Sequence, residues 1–214
     1  MTVIVPQRFQ IVNSLSPLEA AYRLLALTLC GPIAAAAGGS IIQRLKVPPF
    51  YILLLASVFQ ILALGLATTV STIPGEAYTG LYGFEVLMGL GFGLSISTVV
   101  MMIPLIFKES DMAVGMGAVN QFRYLGGSVC LAVCTNVLNN RFTQKLETIF
   151  SPSQLVDLAH SAQAIDKISD MDLQLEVRSV YGEGYELQLY VVLAFSGASL
   201  LATLMIWEKN LRRF

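Results

Sequence analysis

Five stretches of this chain, near residues 18–42, 50–72, 79–107, 113–138 and 187–207, run for about twenty residues or more with few charges. That pattern limits the fold more than any other feature. The hydrocarbon core of a bilayer is about 30 Å thick, and about 20 apolar helical residues cross it. Within it every backbone N–H and C=O must find its partner inside the chain, so spans of this length are α-helices. The expected fold is therefore an all-α polytopic membrane protein with five transmembrane helices in a lipid bilayer. Composition agrees. Only 13% of the residues are charged and 55% are hydrophobic, where soluble domains carry about 25% charged residues.

The same sequence excludes several classes. A formal net charge of −1 offers no basic surface for nucleic acid. Cys30, Cys130 and Cys134 all sit in apolar stretches and read as small packing residues, not as a disulfide framework. His160 is the only histidine, and Cys130 and Cys134 have no histidine or carboxylate on their face, so no metal and no cofactor are expected. GLGFG at 89–93 lacks the Lys-Ser/Thr of a phosphate loop and lies inside a span. Ser95 and Ser97 have no histidine in the membrane to activate them, so an intramembrane enzyme is not supported. MTVIVPQRFQ does not follow the pattern of a signal peptide.

Punctuation divides the chain further. Residues 1–15 read as a tail, the end of a preceding span or an outer loop. Ser16, Pro17 and Glu19 form the signature of a capping box that opens the first span, and Glu19 and Arg23 are spaced to pair near the surface. Gly31-Pro32 is expected to kink that span. Pro48-Pro49 and Pro74-Gly75 mark turns. The third span is glycine-rich, with Gly89 and Gly93 spaced as GxxxG and Pro104 near its end. Ala34 and Gly38 repeat that spacing in the first span. Small residues at this spacing let helices approach closely. Residues 140–186 read as a polar loop whose segment SQLVDLAHSAQAIDKI forms a short amphipathic surface helix. Residues 208–214 form a tail. Basic residues in the short loops (Arg44 and Lys46, Lys108, then Lys209, Arg212 and Arg213) face Glu76 in the opposite short loop. By the positive-inside rule the C-terminus is expected in the cytoplasm, with the N-terminus and the 140–186 loop outside.

The fourth span holds NQFRYLGGSVCLAVC, with a permanent cation in an apolar run. Asn120, Arg123, Gly127, Cys130 and Cys134 share one helical stripe. Phe122, Leu125, Val129 and Val133 lie mostly on the other side. The small, polar stripe is expected to face protein or water, with Gly126 and Gly127 giving room for packing. A charge at half depth costs from a few to over ten kcal/mol unless paired or hydrated. Glu85 is the expected partner. Arg123 keeps its proton at all relevant pH, so any proton moving through this chain moves on Glu85. Two readings stay open: a substrate or proton path through Glu85, Asn120, Gln121 and Arg123, or a structural ion pair.

Four stretches carry a resemblance to a known family: PQRFQIVNSLSPLEAAYRLL, GGSIIQRLK, GAVNQFRYLGGSVCLAV and LEVRSVYGEGYELQLYVVLAFSGASLLATLMIW. Together they resemble the C-terminal part of a major facilitator superfamily transporter, nearest to fungal multidrug and toxin efflux pumps of the fourteen-span drug:proton antiporter branch. GGSIIQRLK resembles the cytoplasmic loop motif of that family, with Gly39, Arg44 and Lys46 in place and Gln43 where an acid is usual. The resemblance implies proton-coupled efflux of small organic molecules by a complete protein. It also implies an N-terminal half-bundle as the missing partner, and the plasma membrane ahead of the vacuolar membrane. The alternative is a truncated, non-transporting membrane protein that associates with another transporter half, or a degenerate copy.

Overall fold

The computed structural model describes residues 4–13, 15–69, 80–147, 149–151, 165, 168 and 170–207. The Pro74-Gly75 turn, Glu76, nearly all of the proposed surface helix and the basic tail after Trp207 lie outside them. The described residues are helical throughout: α1 (Ile4–Ile11), α2 (Pro17–Arg23), α3 (Leu25–Leu45), α4 (Pro49–Ala67), α5 (Leu81–Ile106), α6 (Met112–Leu146) and α7 (Met171–Met205), with a short 3-10 turn at Glu109–Asp111.

The first helix pair begins where the sequence marks it. The Ser16 side chain accepts from the Glu19 N–H at 3.2 Å, and the Glu19 carboxylate accepts from the Ser16 N–H at 2.9 Å. These bonds supply two of the donors a helix start leaves orphaned. They also take Glu19 away from Arg23, which lies over the Phe9 ring at 5.7 Å instead of forming the expected surface pair. The interruption between α2 and α3 falls at Leu24. Pro32 lies within α3, which is helical from Leu25 to Leu45. That helix ends on Lys46 in the left-handed region, φ 52°. An L-residue reaches this conformation at a cost of about 1–2 kcal/mol, and the tight Val47-Pro48-Pro49 turn follows at once.

α5 is the centre of the bundle because its glycines face two ways. A Cβ on Gly89 would lie 2.7 Å from the Leu27 carbonyl oxygen, and one on Gly93 would strike the Gly31 carbonyl oxygen, so α3 packs backbone to backbone here. On the other side a Cβ on Gly91 would lie 2.9 Å from the Ala56 carbonyl oxygen of α4. Without a hydrophobic drive between helices in lipid, such close van der Waals contact is what holds spans together. α4 also meets α7, where the Ser57 and Thr203 hydroxyls lie 3.4 Å apart. Phe50 at the start of α4 and Trp207 just past α7 make an edge contact, centroids 5.1 Å apart. The Arg44–Lys46 turn and the end of α7 thus share one end of the bundle.

Two expectations need correction. Residues 140–186 are not one loop: α6 runs on to Leu146 and α7 starts at Met171. Phe142 and Leu146 of α6 pack with Val177, Val180 and Tyr181 of α7 in one buried cluster. Glu183 accepts from Arg141 at 2.7 Å. This pair is half exposed, so burial and not charge supplies most of the stability. The count of apolar spans also changes. Among the described residues four helices, not five, are long and apolar enough to cross a membrane: 17–45, 49–67, 82–106 and 171–205. α6 has the length, but Asn120, Gln121, Arg123 and its glycines displace aliphatic side chains. From Cys130 to Leu146 it pairs with α7. Cys134 lies beside Gln188 and Phe142 beside Tyr181, an antiparallel register.

Candidate functional site

Two charged residues are buried among the described residues, Arg178 of α7 and Glu85, one turn into α5. Glu85 is 4% exposed, and neither of its carboxylate oxygens has a hydrogen-bond partner among the described residues. It lines a cavity of about 40 Å³ together with Arg8 of α1 and Tyr185 of α7; Ala63 and Ala67 of α4 and Leu27 of α3 close the walls. The Tyr185 hydroxyl also lacks a partner among the described residues. A water needs about 10–15 Å³ of such space, so two or three waters fit between these polar groups. Arg23, whose buried Nε has no hydrogen bond among the described residues, is a cation whose field reaches Glu85.

Each wall follows from a local sequence choice. Gly89, one turn below Glu85, lets α5 close on α3 and brings Leu27 and the Arg23 end of that helix near the carboxylate. Gly184 lets α7 close on Leu138 of α6 beside Tyr185. The Gln188 amide fixes the same level by donating to the Cys134 carbonyl at 3.0 Å. α1 is held from the far side. Arg178 of α7 donates to the Ile11 carbonyl at 2.5 Å, and Ile4 and Val12 enter the α6–α7 cluster.

The expected Glu85–Arg123 pair does not form. Glu85 stands 21 residues before the end of α5, and Arg123 stands 11 residues into α6. At 1.5 Å per residue that leaves them about 15 Å apart along the bundle axis, near three turns. Arg123 is exposed, and its guanidinium lies 5.3 Å from the centroid of the neighbouring Tyr124 ring. Gln121 is exposed and Asn120 half-buried. The division of α6 into a polar protein-facing stripe and a bulky lipid-facing one also changes. From Gln121 to Val129 all residues are exposed, Phe122 and Leu125 included, and α6 packs on α7 only from Cys130 onward. A Cβ on Gly126 or Gly127 would meet nothing within 4 Å, so neither packs against a neighbour among the described residues. Gly39 is buried, Arg44 and Lys46 are exposed at the turn, and Pro104 sits in the last turn of α5.

Comparison with known proteins adds the family. The chain is 38% identical over 209 residues, 98% of its length, to MFS-type transporter FPY5 of Fusarium mangiferae. The chain belongs to the major facilitator superfamily. It is also 26% identical over 95% of its length to efflux pump ustT of Ustilaginoidea virens. MFS-type transporter VdtG of Byssochlamys spectabilis is 30% identical over 67% of the chain. No family model matches the chain, and no solved structure matches it. The chain spans about a third of the superfamily relatives it resembles: 35% of FPY5, 38% of ustT and 25% of VdtG.

Arg8, Arg23 and Tyr185 were not among the site residues expected from sequence. Arg8 and Arg23 carried a legible signal, since each is a cation at the edge of an apolar run. Tyr185 did not, because it falls in a segment read as a loop.

Proposed function

We propose that the complete protein exports small organic molecules in exchange for protons, as in the fourteen-span drug:proton antiporters, with this chain as its C-terminal part. The names of the relatives support export: several are called efflux pumps. The observation that carries the proton coupling is the Glu85 carboxyl group. It is buried, without a hydrogen bond among the described residues, and it faces a cavity with room for water beside Tyr185 and Arg8. An intramembrane carboxylate of this kind is suited to bind and release a proton. Arg123 serves the organic substrate, on a face of α6 that the remaining half-bundle completes.

Glu85→Gln in the complete protein tests this. Proton-driven export is expected to fall at least about tenfold, as for loss of a proton-transfer group. Binding of the substrate, and its exchange across the membrane without a proton gradient, should persist. Export at the normal rate, with the normal dependence on the gradient, would remove Glu85 from the coupling. We further infer that the Arg44–Lys46 turn and the C-terminus face the cytoplasm of a plasma-membrane protein. A cysteine placed by Lys46→Cys should then stay unlabelled by an impermeant maleimide in intact cells and react once the cells are opened. Labelling from outside would reverse the orientation.

A further inference from the structure

A proton bound on Glu85 needs a route to water, because Glu85 itself is buried. Arg8 and Arg23 cannot pass it on, since arginine keeps its proton. The Tyr185 hydroxyl is enclosed in the same cavity and serves as a step inside it. Water alone is a poor route past Arg8, whose positive charge repels hydronium. A route to the surface calls for a second carboxylate at the level of the cavity.

Glu186 meets that description. It follows Tyr185 on α7, so it stands at the level of the Glu85 cavity. It is half-buried, and Leu187 and Tyr190 beside it are exposed. It lies 19 residues before Met205, the end of α7. That is about 28 Å along the helix, close to the full depth of a 30 Å core. Its field reaches Arg8, the α1 residue that lines the cavity. The Tyr190 hydroxyl donates to its Oε1 at 3.3 Å, which holds the carboxylate in place. The neighbouring carboxylates are engaged elsewhere. Glu183 takes Arg141 and Lys145 of α6, and Glu19 caps α2 through Ser16. α4 lines the cavity with Ala63 and Ala67, which carry no charge.

We propose that Glu186 is the proton relay between Glu85 and the water at the end of the bundle opposite the Arg44–Lys46 turn. The proposal rests on the reading of Glu85 as the proton-binding carboxylate, and it adds where that proton comes from. In the loading direction the Glu186 carboxylate takes a proton from hydronium and leaves water. It gives a proton to a water of the cavity as that water gives one to the Glu85 carboxylate. Glu186 is then ionised again and Glu85 is neutral, so one proton has moved and nothing else has changed.

The test follows proton uptake by the complete protein in detergent. A laser pulse releases protons from o-nitrobenzaldehyde in weakly buffered solution, and pyranine reports their removal. The uptake that Glu85→Gln abolishes is the Glu85 phase. In the isosteric Glu186→Gln that phase should keep its amplitude and slow about tenfold or more, as for loss of a proton-transfer group. Glu186→Ala should slow it equally. Glu186→His should restore much of the rate, because imidazole also takes and gives a proton near neutral pH. The uptake by the imidazole itself is subtracted with Glu85→Gln in the same background. A parent-like rate in Glu186→Gln and Glu186→Ala would overturn the proposal, and so would loss of the amplitude. Slowing that Glu186→His fails to relieve would also overturn it, by making Glu186 a counter-charge for Arg8. The two readings fail separately. If Glu85→Gln removes no uptake, the reading of Glu85 falls and the relay with it. If the Glu85 phase is present and the Glu186 variants do not slow it, the relay alone falls.

Discussion

Leucine in place of Gly93 is expected to cost the protein its folded bundle. A Cβ at this position would strike the Gly31 carbonyl oxygen, with the Ala34 Cβ at 2.9 Å and the Ala35 nitrogen at 3.0 Å. Two of these three atoms are backbone, so no rotamer change makes room. α3 and α5 must move apart along their whole contact, and that contact is the most extensive in the structure. Overpacking of a close interface costs about 1–3 kcal/mol when side chains can yield. Here the strain falls on backbone, and about 3 kcal/mol or more is expected. The measurement is monodisperse yield after detergent extraction, followed by thermal unfolding read from the exposure of buried Cys134. Gly127→Ala is the control. Its Cβ would meet nothing within 4 Å, and its melting should match the parent. A parent-like Gly93→Leu protein would show that α3 and α5 do not approach this closely.

That contact also shows what a sequence of this kind discloses. The spacing of Gly89 and Gly93 is visible in one dimension, and so are the capping box at Ser16 and the turn at Pro48-Pro49. All three are local: each depends on residues within four positions of one another. The start of α7 was hidden for a different reason. Val177, Val180, Tyr181, Gly184, Tyr185 and Gln188 form a helical stripe, and all are buried. Arg178, Glu183 and Glu186 are interleaved with them, so hydropathy averaged over the segment looks like a loop. The face matters, and an average has no face. α6 shows the converse, a stretch read as a span whose helix of 35 residues falls short in composition.

The surroundings of Glu85 were the least legible part. A buried carboxylate advertises itself, but its neighbours depend on where each helix starts and ends along a common axis. That register decides whether Arg23 and Arg8 or Arg123 stand beside the carboxylate. The short α1 compounds this, since tertiary contacts such as the bond from Arg178 to Ile11, the Arg23–Phe9 contact and the seating of Ile4 and Val12 bring it to the site. No period within the first fifteen residues encodes these contacts.

Removal of the Arg123 charge is expected to leave the bundle intact and to stop transport. Arg123 has no ion pair among the described residues, and its ring contact is with its own neighbour Tyr124. Arg123→Leu should therefore leave melting and membrane yield unchanged or slightly improved. Yet the residue stands 11 positions into α6, about 17 Å along the helix and near the middle of a 30 Å core. Even lenient scales put a mid-bilayer arginine at about +2.5 kcal/mol or more. A helix exposed from Gln121 to Val129 cannot keep that charge against acyl chains at no cost, so in the complete protein this face meets water or protein. If the charge serves the substrate path, an interaction of that size corresponds to about a hundredfold in rate. Export by Arg123→Leu should drop by about that factor, with Arg123→Lys recovering part of it because the charge returns without the planar fork. Two results would decide against this. Full export by Arg123→Leu would free the residue from transport. Loss of membrane yield together with export would make it a packing element whose partner lies in the rest of the protein.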